Sequence, residues 1–101
     1  MTSAPLPTDM IAIAIREPGG PDVLVPERIA VPKPGAEEIL VKVAAAGVNR
    51  PDTIQRMGLY PPPPGAPATP GLEIAGTVVA IGENCRRWQI GDKVCALVGG
   101  G

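Results

Sequence analysis

The apolar segments of this chain mostly alternate hydrophobic positions with polar or small ones at the two-residue period of a β-strand. Residues 10–16 place Ile11, Ile13 and Ile15 on one side of an extended chain, because successive side chains of a strand point to opposite faces. Residues 38–46 show the same period, with a branched side chain at every second position through most of the segment. Both segments are therefore predicted to be strands.

Three further segments are predicted to be strands on less regular patterns. Residues 23–31 are interrupted by Pro26, which has no N–H for a sheet ladder, so we expect an edge strand or a bulge there. Residues 72–81 are apolar on both faces, as expected for a strand closed into a small barrel, and Gly76 indicates a bend or a close backbone approach. Residues 93–98 form the last strand, which makes the predicted fold mainly β.

The segment between the third and fourth strands is predicted to hold a short helix and then a stiff loop. Pro51 suits the first helical turn, Asp52 favours its positive end, and Gly58 can adopt the left-handed conformation that ends a helix. The prolines of residues 60–71 then exclude helix and central strand. A strand end therefore meets a helix start beside Asn49, where we expect a concave surface that binds a ligand.

The side chains around this junction also have structural interpretations. Asn49 is a good N-cap residue for a helix that begins near Pro51, and this role is compatible with ligand binding. Tyr60 is of a type that most often packs on a loop with its hydroxyl in water. Glu73 is expected to be a carboxylate at the barrel rim or a paired internal charge, and Cys95 a small hydrophobic residue of the core.

Size, composition and charge restrict the function further. At 101 residues the chain has room for one small domain, and its net charge of −1 and aromatic content of 2% argue against a nucleic-acid partner. No apolar run approaches the roughly 18 residues of a membrane span, and the N-terminus lacks a signal-peptide pattern, so we expect a cytoplasmic protein without a membrane partner. The absence of histidine excludes histidine-dependent triads and histidine metal sites within the chain.

Five blocks of the sequence carry a family resemblance: residues 19–24 (GGPDVL), 46–52 (AGVNRPD), 58–63 (GLYPPP), 71–76 (GLEIAG) and 90–94 (IGDKV). In this order they resemble the N-terminal domain of zinc-independent quinone oxidoreductases, which belong to the medium-chain dehydrogenase/reductase superfamily. The resemblance implies a GroES-like small β-barrel with a short helix over residues 10–101, after a flexible lead of residues 1–9. In that family the barrel pairs with a C-terminal Rossmann domain that binds NADPH and provides homodimer contacts, and no G-x-G-x-x-G pattern of such a domain occurs in these 101 residues.

The resemblance also implies chemistry without zinc. The zinc-dependent alcohol dehydrogenase branch has a cysteine ligand, a hydroxyl proton relay and a histidine ligand where this chain has Asn49, Pro51 and Leu72. An amide, an imino acid and an isobutyl group do not hold zinc or relay a proton. Reduction of a quinone or another conjugated carbonyl needs no Lewis acid, because the acceptor is already electron-poor.

By resemblance, the candidate site residues divide into three groups. Asn49 and Tyr60 are expected to be catalytic, while Asn49, Arg50 and Asp52 are expected along the NADPH cofactor. Tyr60 and Glu73 are expected to line the substrate pocket, and no metal ligand is expected. The implied activity is hydride transfer from NADPH to a small-molecule quinone or enone by a longer parent, with this chain inactive alone. The alternatives are an enoyl reductase of the same superfamily and a GroES-like module that binds partners without catalysing a reaction.

Overall fold

The computed structural model describes residues 6–99, which form a mainly β structure with one α-helix. Its α-helix has seven residues, and within the described range no helix has the length and apolar character needed to cross a bilayer. Every strand predicted from the alternation is present, and so is the predicted helix. The elements are β1 (Asp9–Ile15), a 3₁₀-helix (Pro21–Val23), β2 (Leu24–Ala30), β3 (Ile39–Ala46), α1 (Arg50–Arg56), β4 (Glu73–Ile81) and β5 (Lys93–Leu97).

The strands are divided between two antiparallel sheets. β1 pairs with β2 in one sheet, and β3, β4 and β5 form the other in that order, with β4 hydrogen-bonded on both edges. Between its two end residues, β4 has buried or half-buried side chains on both faces, which agrees with the apolar pattern of residues 72–81. β1 begins at Asp9, the last residue of the predicted flexible lead, whose first five residues lie outside the described residues.

Pro26 lies within β2 without disrupting its pairing. It is opposite Ile13, and the register runs unbroken from Asp9 and Ala30 to Ile15 and Leu24. Because β2 has a strand on only one side, the missing N–H of the proline is tolerated at a sheet edge. Of the two interpretations of this proline, the edge strand is therefore confirmed and the bulge is wrong.

A short 3₁₀-helix, which the sequence pattern did not predict, precedes β2. Pro21 occupies its first turn, and the N–H of Val23 donates to the carbonyl of Gly20 at 3.1 Å. The Val23 carbonyl then accepts from the N–H of Arg16 at 2.9 Å, and its side chain is only 5% exposed. Val23 thus belongs to the 3₁₀-helix, and the strand that was predicted to begin at this residue begins one residue later, at Leu24.

The hydrophobic core of the described residues is small. Val78, in the middle of β4, is fully buried, and Val23 is the other buried apolar side chain. On β1 the isoleucine side predicted from the alternation does occupy one face, but Ile11 is 57% and Ile13 49% exposed. The opposite, alanine-bearing side of β1 is the less exposed one. Alternation thus identified the faces of this strand without indicating which of them would be covered.

Gly76 of β4 lies close against the backbone of β3. A Cβ at this position would overlap the backbone carbonyl oxygen of Lys42 and lie 2.9 Å from its carbon. The register of β3 against β4 also shifts between Val43 and Ala45, close to the same point. The expected close backbone approach at Gly76 is confirmed, and it depends on the absence of a side chain.

We expect Gly76→Ala to destabilise the domain, because the added methyl group meets backbone that cannot move without breaking the β3–β4 ladder. Overpacking of this kind costs about 1–3 kcal/mol. Urea unfolding followed by Trp88 fluorescence and by circular dichroism measures the change. Gly99→Ala is the matched control, because a Cβ there would find its nearest neighbour, the Ala66 Cβ, at an ordinary 3.6 Å. Equal stability of the two variants would contradict the prediction.

Candidate functional site

The candidate site lies where β3 ends and α1 begins. β3 stops at Ala46, and Asn49 precedes the helix in an extended conformation (φ −126°, ψ 163°), which is the usual backbone of an N-cap residue. The N–H of Gly47 donates to the carbonyl of Glu73 at 3.1 Å, which ties the exit from β3 to the first residue of β4. The backbone contact between β3 and β4 at Gly47 therefore lies only two residues before Asn49, the residue that precedes the helix.

Asp52 holds the start of the helix. Its carboxylate accepts from the backbone N–H of Asn49 at 2.9 Å, and its own N–H donates to the Asn49 carbonyl at 3.0 Å. Asn49 and Asp52 are in the capping-box arrangement, with the Asn49 side chain facing the third helical residue. The second carboxylate oxygen of Asp52 is buried and has no hydrogen-bond partner within residues 6–99. The geometry thus gives Asp52 a structural role, and its contact with a cofactor stays a prediction.

The side chain of Asn49 reaches across to the neighbouring strand. Its amide nitrogen donates to the Glu73 carboxylate at 2.9 Å, which joins two residues 24 positions apart. Asn49 is half-buried and Glu73 is exposed at the first position of β4. Of the two interpretations of Glu73, the structure supports the rim carboxylate. Asn49 and Glu73 are the only pair of the predicted site residues joined side chain to side chain among the described hydrogen bonds.

A shallow depression opens beside this pair. It has a volume of about 320 Å³, and its wall is formed mainly by small side chains at the ends of β3, β4 and β5, with Glu73 among them. Cys95, expected in the core, is exposed and lines the depression, so that expectation is wrong. It pairs with Ala75 of β4 and lies on the exposed face of β5, together with Lys93 and Leu97. The lining residues are Ala45, Ala46, Gly47, Glu73, Ile74, Ala75 and Cys95.

Arg50 and Tyr60 are close in sequence to this pair but are not hydrogen-bonded to it. The Arg50 guanidinium donates to the hydroxyl of Thr53 at 3.1 Å on the exposed side of α1. Tyr60 follows Gly58, whose φ of +81° ends the helix as predicted, and its side chain is 36% exposed. No hydrogen bond between Tyr60 and Asn49 or Glu73 occurs in the described part of the chain. Their cofactor and pocket roles stay predictions.

The contribution of Gly47 was not anticipated from the sequence. A Cβ at Gly47 would overlap the carboxylate of Glu73 and lie 2.6 Å from its Cγ, so the glutamate side chain occupies the space above this glycine. The sequence does contain a glycine two residues before Asn49 and a glutamate at the start of a predicted strand, and these two features together could have indicated the contact. No group of three or more potential metal-ligating side chains occurs within residues 6–99.

Comparison with known proteins identifies the family to which the sequence is similar. The family model described as "Alcohol dehydrogenase GroES-like domain" matches residues 35–100. The quinone oxidoreductase of Lama guanicoe is 45% identical over 86 residues, which are 84% of this chain and 26% of that protein. The chain thus spans about a quarter of the length of the relatives it matches.

Solved structures agree with this assignment of the fold. The human synaptic vesicle membrane protein VAT-1 homolog-like protein superposes with a TM-score of 0.80 at 37% identity, over 89% of this chain and 29% of that one. Escherichia coli quinone oxidoreductase complexed with NADPH gives 0.75 at 34% identity, over 85% and 26%. The CurK enoyl reductase gives 0.75 at 30% identity, over 88% and 29%.

We expect Asp52→Ala to destabilise the start of α1, because the backbone N–H of Asn49 loses its acceptor. Loss of such a capping interaction typically costs about 0.5–2 kcal/mol of the free energy of unfolding. Urea denaturation measures the loss. Glu37→Ala is the control, because Glu37 is exposed and has no hydrogen bond or ion pair among residues 6–99. If Asp52→Ala proved no less stable than this control, the capping role would be refuted.

Proposed function

The chain belongs to the alcohol dehydrogenase GroES-like domain family of the medium-chain dehydrogenase/reductase superfamily, and on this premise we propose that it forms the substrate side of an NADPH-dependent quinone oxidoreductase. The reaction is hydride transfer from NADPH to a quinone or a similar conjugated carbonyl, without zinc. The observation that carries the proposal is the hydrogen bond from the Asn49 carboxamide to Glu73, a residue that lines an open depression. Similarity to quinone oxidoreductases supports the same choice.

The chemistry requires a hydrogen-bond donor near the oxygen of the acceptor. When a conjugated carbonyl accepts hydride, negative charge develops on its oxygen, and a preorganised donor stabilises that charge. The carboxamide of Asn49 has two N–H groups, and one of them is engaged with Glu73. The second N–H is the donor that we assign to the acceptor oxygen. We place the flat ring of the acceptor in the depression next to Glu73, where the side chains of Ala45, Ala75 and Cys95 are small.

The residues at the positions of the zinc site support a reaction without metal. Asn49, Pro51 and Leu72 supply an amide, a ring without a donor and an alkyl group, and none of these is a thiolate or imidazole ligand for zinc. Asn49 instead donates its backbone N–H to the Asp52 carboxylate and its side-chain amide to Glu73. The donor set thus suits polarisation by hydrogen bonding rather than by a Lewis acid.

For the cofactor, this chain offers only a few contacts. NADPH, when bound, supplies the hydride. Asn49 and Arg50 are the residues we assign to it, because Arg50 is an exposed cation next to the half-buried Asn49 amide. We assign Tyr60, which is partly exposed after the helix, to the wall of the substrate pocket. The remaining cofactor contacts belong to a Rossmann domain of a longer, homodimeric and cytoplasmic parent in this proposal.

An enoyl reductase is the second candidate. The observation that favours it is the similarity to the CurK enoyl reductase structure. An enone accepts hydride at carbon and develops negative charge on its carbonyl oxygen, so the same Asn49 donor serves both reactions. A screen of quinones and enones with NADPH and NADH, on a parent that carries both domains, distinguishes the candidates by their kcat/KM values.

In such a parent, we expect Asn49→Ala to lower kcat for the preferred acceptor by a factor of about 10²–10³, the usual loss for one oxyanion-stabilising donor. The physical reason is removal of the single N–H directed at the acceptor oxygen. Steady-state kinetics measures it. Asn84→Ala is the matched control, because Asn84 is an exposed asparagine without a side-chain hydrogen bond in the described residues. An unchanged kcat for Asn49→Ala would leave Asn49 as a helix cap alone.

Metal removal provides a separate prediction. Because no step of the proposed reaction needs a Lewis acid, dialysis of the parent against a strong chelator is expected to leave the rate of quinone reduction unchanged. Zinc content is measured before and after treatment, and a zinc-dependent alcohol dehydrogenase treated in parallel serves as the positive control. A loss of activity that added zinc restores would contradict the proposed mechanism.

A further inference from the structure

The exposed carboxylate of Glu73 accepts a hydrogen bond from the side-chain amide of Asn49. We infer that Glu73 is a positioning residue that fixes the orientation of the Asn49 carboxamide, and that Gly47 is required because it leaves room for the Glu73 side chain. The structural part of this inference is independent of any reaction. Its consequence for the ligand rests on the proposed function.

The first step concerns which end of the amide faces Glu73. An ionised carboxylate accepts hydrogen bonds and cannot donate them, whereas a carboxamide has a donor end and an acceptor end. At the observed 2.9 Å separation, only the NH₂ group of Asn49 can face the Glu73 carboxylate favourably. The carboxamide oxygen must then point away from Glu73, toward the third residue of the helix, whose own N–H donates to the main-chain carbonyl of Asn49 at 3.0 Å. The bond to Glu73 thus assigns the donor end of the amide.

The second step concerns how Glu73 reaches this position. Its backbone carbonyl accepts from the Gly47 N–H at 3.1 Å, so the two residues are held opposite each other on neighbouring strands. The glutamate side chain passes directly over Gly47, where a Cβ would overlap its carboxylate. Any other residue at position 47 would therefore displace the whole end of the Glu73 side chain. Because the obstruction arises at the carboxylate that binds Asn49, displacement would break that hydrogen bond.

The third step concerns what remains for a ligand. One N–H of the Asn49 carboxamide is directed at Glu73, and the backbone N–H of Asn49 is held by Asp52 at 2.9 Å. Within the described residues, the second N–H of the carboxamide is the donor without an assigned partner. A fixed amide with one available donor complements an oxygen that only accepts, such as the carbonyl of a quinone or enone. Without Glu73, the amide would be free to rotate and to present its oxygen instead.

The test follows the side-chain amide signals of Asn49 by ¹H–¹⁵N NMR of the 101-residue chain, with the signals assigned by their loss in Asn49→Asp. We expect Glu73→Ala to shift the Asn49 NH₂ signals and to speed their exchange with water, because the carboxylate acceptor is lost. Gly47→Ala is expected to give the same shift with the carboxylate still present. Gly99→Ala is the matched glycine control and is expected to leave the signals in place, since its Cβ has ordinary space.

Exchanging the amide and the carboxylate between positions 49 and 73 tests the same contact through the stability of the fold. Asn49→Asp alone places two carboxylates together, so we expect the equilibrium constant of unfolding to rise about threefold or more, as for other coupled contacts. Adding Glu73→Gln supplies a donor on the opposite side, and the double variant is expected to recover most of that loss. In a parent enzyme, the double variant should keep a kcat lowered by a factor of about 10²–10³, because the carboxylate introduced at position 49 has no N–H for the acceptor oxygen.

The outcomes separate this inference from the proposed function. Asn49 signals that stay unchanged in both Glu73→Ala and Gly47→Ala would overturn the positioning role, whatever the parent reduces. An Asn49→Asp/Glu73→Gln variant no more stable than Asn49→Asp would overturn it as well, and this comparison remains available if Glu73→Ala does not fold. Conversely, shifted signals in a protein whose parent reduces no quinone or enone would support the positioning role and reject only the proposed reaction.

Discussion

The structure depends on the close pairing of β3 with β4. Gly76 permits it, because a side chain there would meet the backbone of Lys42, while Gly47 leaves room for the end of the Glu73 side chain. With those strands in contact, the exit from β3 is placed beside the entry to β4, and Asn49 comes within 2.9 Å of a residue 24 positions later. A larger residue at either glycine would separate the backbone or side-chain groups on which the site is built.

The small size of many side chains in this chain produces the depression and also limits the hydrophobic core. Alanine, glycine and cysteine line the strand ends, so the sheet presents a recess there rather than a packed surface. Elsewhere the apolar side chains have little to pack against within residues 6–99, since Val78 is fully buried while Ile11 and Ile13 are about half exposed. Buried apolar area is the main source of folding free energy. The described residues therefore rely strongly on strand pairing and on the contacts that hold the β3–α1 junction.

How much could be predicted from the sequence depends on the range of the interaction. The strand periods, the proline at the start of α1 and the left-handed Gly58 are local features, and all of them were predicted correctly. The exposed face of β1 was not predictable, because alternation in Ile11 and Ile13 does not reveal what lies opposite. The wrong placement of Cys95 in the core has the same cause, since the face of β5 that carries Lys93, Cys95 and Leu97 is exposed within residues 6–99. The Asn49–Glu73 contact joins distant residues and needed the β3–β4 register.

Asn49 illustrates why a capping residue can also serve chemistry. An N-cap asparagine commonly uses its side chain to satisfy the helix start, which would leave little of it for a ligand. Here the Asp52 carboxylate takes the Asn49 N–H and the Asn49 carbonyl takes the Asp52 N–H, so the main chain and Asp52 satisfy much of the helix start. The carboxamide is then available to reach β4. Local capping fixes the backbone of residue 49, and the long-range bond to Glu73 fixes its side chain, so the position and the orientation of this amide have separate physical causes.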